Sequence, residues 1–98
     1  MNLLPKEVES ALPPLGSQEL LGRDAMARVK FFTPDSSWTW YASEYDPARR
    51  LFFGLVVGAE TELGYFSLDE LEQVRGRLGL PVERDLYFTP QTLSTFMS

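Results

Sequence analysis

Residues 38–66 read Trp-Thr-Trp-Tyr-Ala-Ser-Glu-Tyr-Asp-Pro-Ala-Arg-Arg-Leu-Phe-Phe-Gly-Leu-Val-Val-Gly-Ala-Glu-Thr-Glu-Leu-Gly-Tyr-Phe, and this stretch decides the fold. Aromatic and β-branched residues dominate it, and turn-forming residues interrupt it twice. Asp46-Pro47-Ala48-Arg49 separates a strand over 38–45 from one over 51–58. Residues 59–62 separate the latter from a short strand over 63–66. Connections this short make successive strands antiparallel neighbours, so the segment is a β-meander. The nearly continuous apolar run 51–58 reads as a central strand covered on both faces. In the 38–45 strand, alternation puts Trp38, Trp40, Ala42 and Glu44 on one face and Thr39, Tyr41, Ser43 and Tyr45 on the other. The Trp face is expected in the core, which leaves Tyr41 and Tyr45 toward solvent as a candidate platform.

Working toward the N-terminus, 27–32 is a further strand, joined by the turn Thr33-Pro34-Asp35-Ser36-Ser37. Leu4, Val8, Ala11 and Leu12 form one face of a first helix, with Pro5 at its start and Pro13-Pro14 at its stop. The connector 13–25 is expected to be pinned to the body by Leu15, Leu20 and Leu21. Toward the C-terminus, Ser67 and Glu70 form a capping box, with Phe66 and Leu71 as a hydrophobic staple. Leu68, Leu71 and Val74 line the buried face of that helix, and Gly76 is expected to end it in a left-handed cap. Residues 83–88 are a fifth extended segment with Leu86 and Phe88 on one face. Thr89-Pro90 opens a last short helix whose stripe is Leu93, Phe96 and Met97. The expected fold is a single α+β domain over residues 1–98. It is an antiparallel β-meander of about four strands plus a fifth extended segment, in the order α-β-β-β-β-α-β-α, with short helices packed on one face of the sheet.

Composition narrows the chemistry. The 98 residues include no histidine and no cysteine. That excludes disulfide frameworks, zinc knuckles, cysteine nucleophiles and every triad built on imidazole. Apolar residues at 44% fit a globular chain and not a disordered one. No run is long and apolar enough for a membrane span, and residues 1–12 do not read as a secretory signal, so the expected location is cytoplasmic. No cofactor, metal ligand set or catalytic residue is expected.

The net charge is −5, and it is uneven. Residues 35–72 hold Asp35, Glu44, Asp46, Glu60, Glu62, Asp69, Glu70 and Glu72 against Arg49 and Arg50, which puts −6 there and leaves the remainder near neutral. Such a balance lacks the basic footprint of a nucleic-acid binder and suits a protein partner with a basic surface. Asp69, Glu70 and Glu72 on the second helix, with Glu60 and Glu62 at a turn, are the candidate acidic contacts. Tyr41, Tyr45, Arg49 and Arg50 are the candidate residues for a weak single-stranded nucleic-acid site. Asp35 is placed where it could pair with Glu44 or Asp46 across a hairpin. In 75–85, Arg75 or Arg77 is expected to pair with Glu83 or Asp85 and fix a loop.

Several stretches carry a resemblance. Phe31-Phe32-Thr33-Pro34-Asp35-Ser36-Ser37-Trp38-Thr39-Trp40-Tyr41, Phe52-Phe53-Gly54-Leu55-Val56 and Glu62 through Glu72 resemble a family of short bacterial proteins catalogued as a domain of unknown function. So do Arg75-Gly76 and Gly79-Leu80-Pro81-Val82-Glu83-Arg84-Asp85-Leu86-Tyr87-Phe88. The resemblance covers nearly the whole chain and brings no activity or functional residue with it. It implies an accessory protein of plasmids, conjugative elements or prophages. The expected function is a small acidic protein-interaction module of a mobile genetic element, of the kind that inhibits a host defence complex as anti-restriction and anti-CRISPR proteins do. A weak single-stranded nucleic-acid binder is the first alternative. An enzyme built on carboxylate, Tyr and Arg groups alone is the second.

Overall fold

The computed structural model describes residues 1–97. Its centre is an antiparallel sheet in the order β5-β4-β3-β2-β6, made of β2 (Val29–Phe32), β3 (Thr39–Asp46), β4 (Leu51–Val57), β5 (Thr61–Ser67) and β6 (Glu83–Arg84). A second, two-stranded sheet pairs β1 (Met26–Ala27) with β7 (Gln91–Thr92). The expected first strand is therefore two, broken at Arg28. The expected fourth strand is longer than its apolar run. The meander and the α+β class are as the sequence implied.

The helices are short. α1 spans Lys6–Glu9, with Pro5 as its N-cap. α2 spans Leu68–Gln73 and opens with the expected capping box: the Ser67 hydroxyl accepts from the Glu70 N–H at 3.0 Å, and the Glu70 carboxylate accepts from the Ser67 N–H at 3.4 Å. Phe66, Leu68 and Leu71 are buried together. α2 ends at Val74, before Gly76, and it is Gly79 that takes positive φ. Gly76 instead lies against the Asp35 side chain. At the C-terminus, the expected helix is β7 followed by a 3₁₀ turn, Leu93–Phe96. Only Glu83 and Arg84 of the fifth segment pair in the sheet, and Leu86 is exposed.

Both faces of the sheet are covered, not one. On the first face, Val29, Phe31, Trp40, Ala42, Tyr45, Phe52 and Phe66 pack with Leu3, Leu4, Leu12, Leu68, Leu71 and Val82. Phe52 is its hub, with ring centroids 5.4, 4.6 and 5.2 Å from Phe31, Tyr45 and Phe66. On the second face, Tyr41 and Leu55 pack with Ala25, Ala27 and Leu93, flanked by Phe88, Phe96 and Met97. Tyr41 stacks on Phe96 at 4.1 Å. Short segments thus supply the lids (the N-terminal residues and α2 on the first face, residues 25–27 and the C-terminal turn on the second), which explains how a sheet so rich in aromatics is buried by so little helix.

One irregularity decides which residue faces where. Ala42 pairs with Gly54, but the next pair is Glu44 with Phe53, so Ser43 is an extra residue in β3. The Ser43 hydroxyl donates to the Phe53 carbonyl at 3.1 Å. A β-bulge of this kind breaks the period-two alternation. Past it, Tyr45 joins the face of Trp40 and Ala42, and Glu44 turns to the face of Tyr41. The expected solvent-facing tyrosine pair does not exist: Tyr41 and Tyr45 are buried on opposite faces. Of the two tryptophans, Trp40 is core as expected, whereas Trp38 precedes the strand, is 42% exposed, and stacks on Trp40 at 6.0 Å.

Gly54 of β4 pairs with Ala42 of β3 and lies against the Tyr41 backbone. A Cβ there would run into the Tyr41 carbonyl, a backbone atom that cannot swing away, whereas a Cβ at its sheet partner Gly64 would meet nothing within 4 Å. Gly54→Ala is expected to lower stability by at least the upper end of the ~1–3 kcal/mol seen for overpacked sites. Gly64→Ala should stay within about 1 kcal/mol of the parent, toward greater stability. Thermal unfolding of the two variants side by side checks this, and equal losses would contradict it.

Candidate functional site

The residues expected to contact a partner are largely engaged with one another. Arg50 adopts positive φ (52°) in the β3–β4 turn. Its Nε donates to Asp69 and its Nη2 to Glu72, each at 2.8 Å. Its carbonyl accepts the Leu68 N–H at 2.9 Å, so the turn and the start of α2 are tied together. Asp69 raises the Arg50 pKa through this hydrogen bond. Arg49 donates to Asp46 at 2.7 Å, and this bond holds the Asp46 carboxyl below its ordinary range. Glu70 is committed to the capping box. Glu60 stands exposed in the β4–β5 turn, and Glu62 stands exposed near the start of β5, opposite Val56. Arg50 with Asp69 and Glu72, and separately Arg49 with Asp46, thus form surface ion pairs, of a kind that contribute little to stability each.

The expected pairing of Arg75 or Arg77 with Glu83 or Asp85 is absent among the described residues. Asp85 pairs with Lys30 at 3.8 Å, and Arg75 donates to the Glu72 and Val74 carbonyls. The loop is held instead by Asp35, whose Oδ2 accepts the N–H groups of Leu78 and Leu80 at 2.6 and 3.2 Å. That bond also takes Asp35 away from Glu44 and Asp46.

A site that sequence reasoning missed lies on the second face. Glu44 on β3, Phe53 on β4 and Tyr65 on β5 are successive cross-strand partners and form one row. The connector passes over this row as a 3₁₀ segment, Glu19–Asp24. Its expected anchors Leu20 and Leu21 are exposed. Glu44 does the anchoring: Oε1 accepts the Gly16 N–H and Oε2 the Gln18 N–H, both at 2.8 Å. Gly16 takes φ 87°, which favours glycine there. Between connector and sheet lies a cavity of about 140 Å³, lined by Gly16, Gln18, Glu19, Glu44, Phe53 and Tyr65 among others. Only Glu44's place in a strand sequence marked it, and alternation pointed that residue at the wrong face.

The third feature is an edge. β5 has β4 as its one strand neighbour among the described residues, and it runs for seven residues. Leu63 and Tyr65 are exposed along it, and the Tyr65 ring meets Phe53 edge-on at 5.1 Å. The opposite edge, β6, is two residues long.

Two outcomes follow. Glu44→Ala strips the acceptor from two connector N–H groups, each worth up to ~1–3 kcal/mol if left unpaired and buried. The variant should unfold at lower temperature, with faster amide exchange at residues 16 and 18 than elsewhere in the chain. Unchanged exchange there would show that Glu44 does not hold the connector. Burial raises the pKa of Tyr41 and of Tyr45 above 10.0, with Asp85 adding to the rise at Tyr41 and Arg50 partly opposing it at Tyr45. The folded chain then holds these phenol protons more tightly than the unfolded chain does. Their contribution is intact below pH 10 and is lost as the pH climbs through the folded values. Alkaline unfolding of Tyr45→Phe, followed by circular dichroism, should fall off less steeply above pH 10 than that of the parent.

No helix among the described residues is long and apolar enough to cross a membrane. No curated protein and no solved structure is found to match the chain. A family model does match, over residues 3–98, and the chain belongs to that family, described as protein of unknown function (DUF2958).

Proposed function

We propose that this protein is a non-catalytic, acidic protein-interaction module that takes an extended segment of a partner along the free edge of β5. The observation that carries this reading is the edge itself: seven residues long, with Leu63 and Tyr65 exposed beside it. Unpaired edge N–H and C=O groups accept an added strand, and neighbouring side chains supply selectivity. Edges left to solvent are ordinarily blunted by shortness, charged side chains or proline. β6 is short in this way, whereas Thr61–Ser67 is seven residues long and carries one charge, Glu62, near its start, which leaves 63–67 without lysine, proline or any other charge. Glu60 just before the edge strand and Glu62 within it are exposed, which supports a partner with a basic surface.

The resemblance to accessory proteins of plasmids, conjugative elements and prophages supports a role in a mobile genetic element in the cytoplasm. It also supports a host defence complex, of the type blocked by anti-restriction and anti-CRISPR proteins, as the partner. The single-stranded nucleic-acid reading loses its residues, because Tyr41 and Tyr45 are buried and Arg49 and Arg50 are engaged by carboxylates.

A photo-crosslinking amino acid tests this in the host cell. Placed at Leu63 or Tyr65 it should trap one discrete protein, and placed at Glu7 or Leu86 it should not. Adding Tyr65→Lys to the position-63 probe should abolish the adduct. Equal trapping from all four positions, or none from any, would overturn the edge as the docking site.

A further inference from the structure

We propose that the cavity between the connector and the β3–β4–β5 face binds an alkylammonium group, with Glu44 as its counter-charge. Glu44 is 3% exposed, and both of its oxygens accept backbone N–H groups. A carboxylate offers about four acceptor positions, so each oxygen keeps one in reserve. The ion pairs among the described residues are Lys30–Asp85, Arg49–Asp46, Arg50–Asp69 and Arg50–Glu72, and none involves Glu44. A carboxylate withdrawn from water and lacking a cation is costly, and buried charges are ordinarily paired.

The surroundings of Glu44 match a cation. Phe53 and Tyr65 stand in the same cross-strand row and set their rings edge to face at 5.1 Å. An aromatic face within about 6 Å attracts an ammonium through the ring quadrupole. Glu19 adds a second carboxylate to the lining. The cavity, about 140 Å³, suits an unbranched chain of a few carbons ending in a compact charge. An ammonium has three donors and needs no planar fork of acceptors, whereas a guanidinium asks for both oxygens of a carboxylate in one plane, and here both already hold an N–H. The ammonium could arrive on a small free amine or on a lysine side chain of a partner. Leu63 and Tyr65 belong both to the cavity lining and to the docking edge, but amine titration of the isolated protein reads the cavity alone and crosslinking in the cell reads the edge, so failure of one is distinguishable from failure of the other.

Titration with n-butylammonium, followed by NMR of the Phe53 and Tyr65 ring protons, tests the site. A saturable shift is expected, with 1-butanol at least tenfold weaker. Nα-acetyl-lysine N-methylamide is the second probe: binding by both identifies a side-chain ammonium as an admissible ligand, and binding by butylammonium alone restricts the site to free amines. Glu44→Gln should abolish the preference for butylammonium over butanol. Because that change also disturbs the connector, Tyr65→Ala, at an exposed position, is the second variant and should weaken butylammonium binding about two- to fivefold. Equal shifts from butanol and butylammonium, or no saturable shift in the intact protein, would overturn the proposal whatever the crosslinking at β5 finds.

Discussion

The insertion of Ser43 into β3 is the constraint on which the rest of the molecule depends. By opposing two residues to one across β4, it reverses the facing of everything after it in the strand. Tyr45 goes to the first core, where it meets Phe52, and Glu44 goes to the second face, where it receives the connector. Regular alternation would have put a carboxylate among Trp40, Ala42 and Phe52, with no connector amides to accept from. The bulge therefore converts a residue incompatible with the core into the clamp for a connector whose Leu20 and Leu21 are exposed.

That clamp explains how a chain with so little helix covers a sheet on both sides. The first face is closed by Leu3, Leu4, Leu12 and α2, and the second by residues 25–27 and the C-terminal turn. Each lid is a few residues deep, so polar bonds to backbone do what a long amphipathic helix does elsewhere. Glu44 holds the connector, Asp35 holds 78–80, and Arg50 holds the start of α2. Three residues singled out for their charge thus serve as staples between the sheet and its cover.

The functional weight shifts accordingly. The acidic residues that stood out by their density, Asp69, Glu70 and Glu72, have partners within the chain. The seven-residue edge of β5 and the small cavity lined by Glu44 lie away from those paired charges. The chain has no histidine and no cysteine, which removes the catalytic constellations built on imidazole or thiol.

Local signals determined much of this protein without any tertiary information. The meander follows from turn residues between β-forming runs, and α2 begins at Ser67 because the cap and staple are made by residues three to five apart. Such contacts are written in adjacent positions. What the tertiary structure alone decided are facings and partners. The bulge at Ser43 has no signature in the alternation it breaks, so Tyr41 and Tyr45 read as a surface pair when they are buried apart. The expected bridges of Arg75 or Arg77 gave way to Asp35, 43 residues distant from Leu78, because a carboxylate at a hairpin end can reach two loop amides at once. The sequence has no means of recording that the edge of β5 is free, since an edge is defined by the strand that is not beside it.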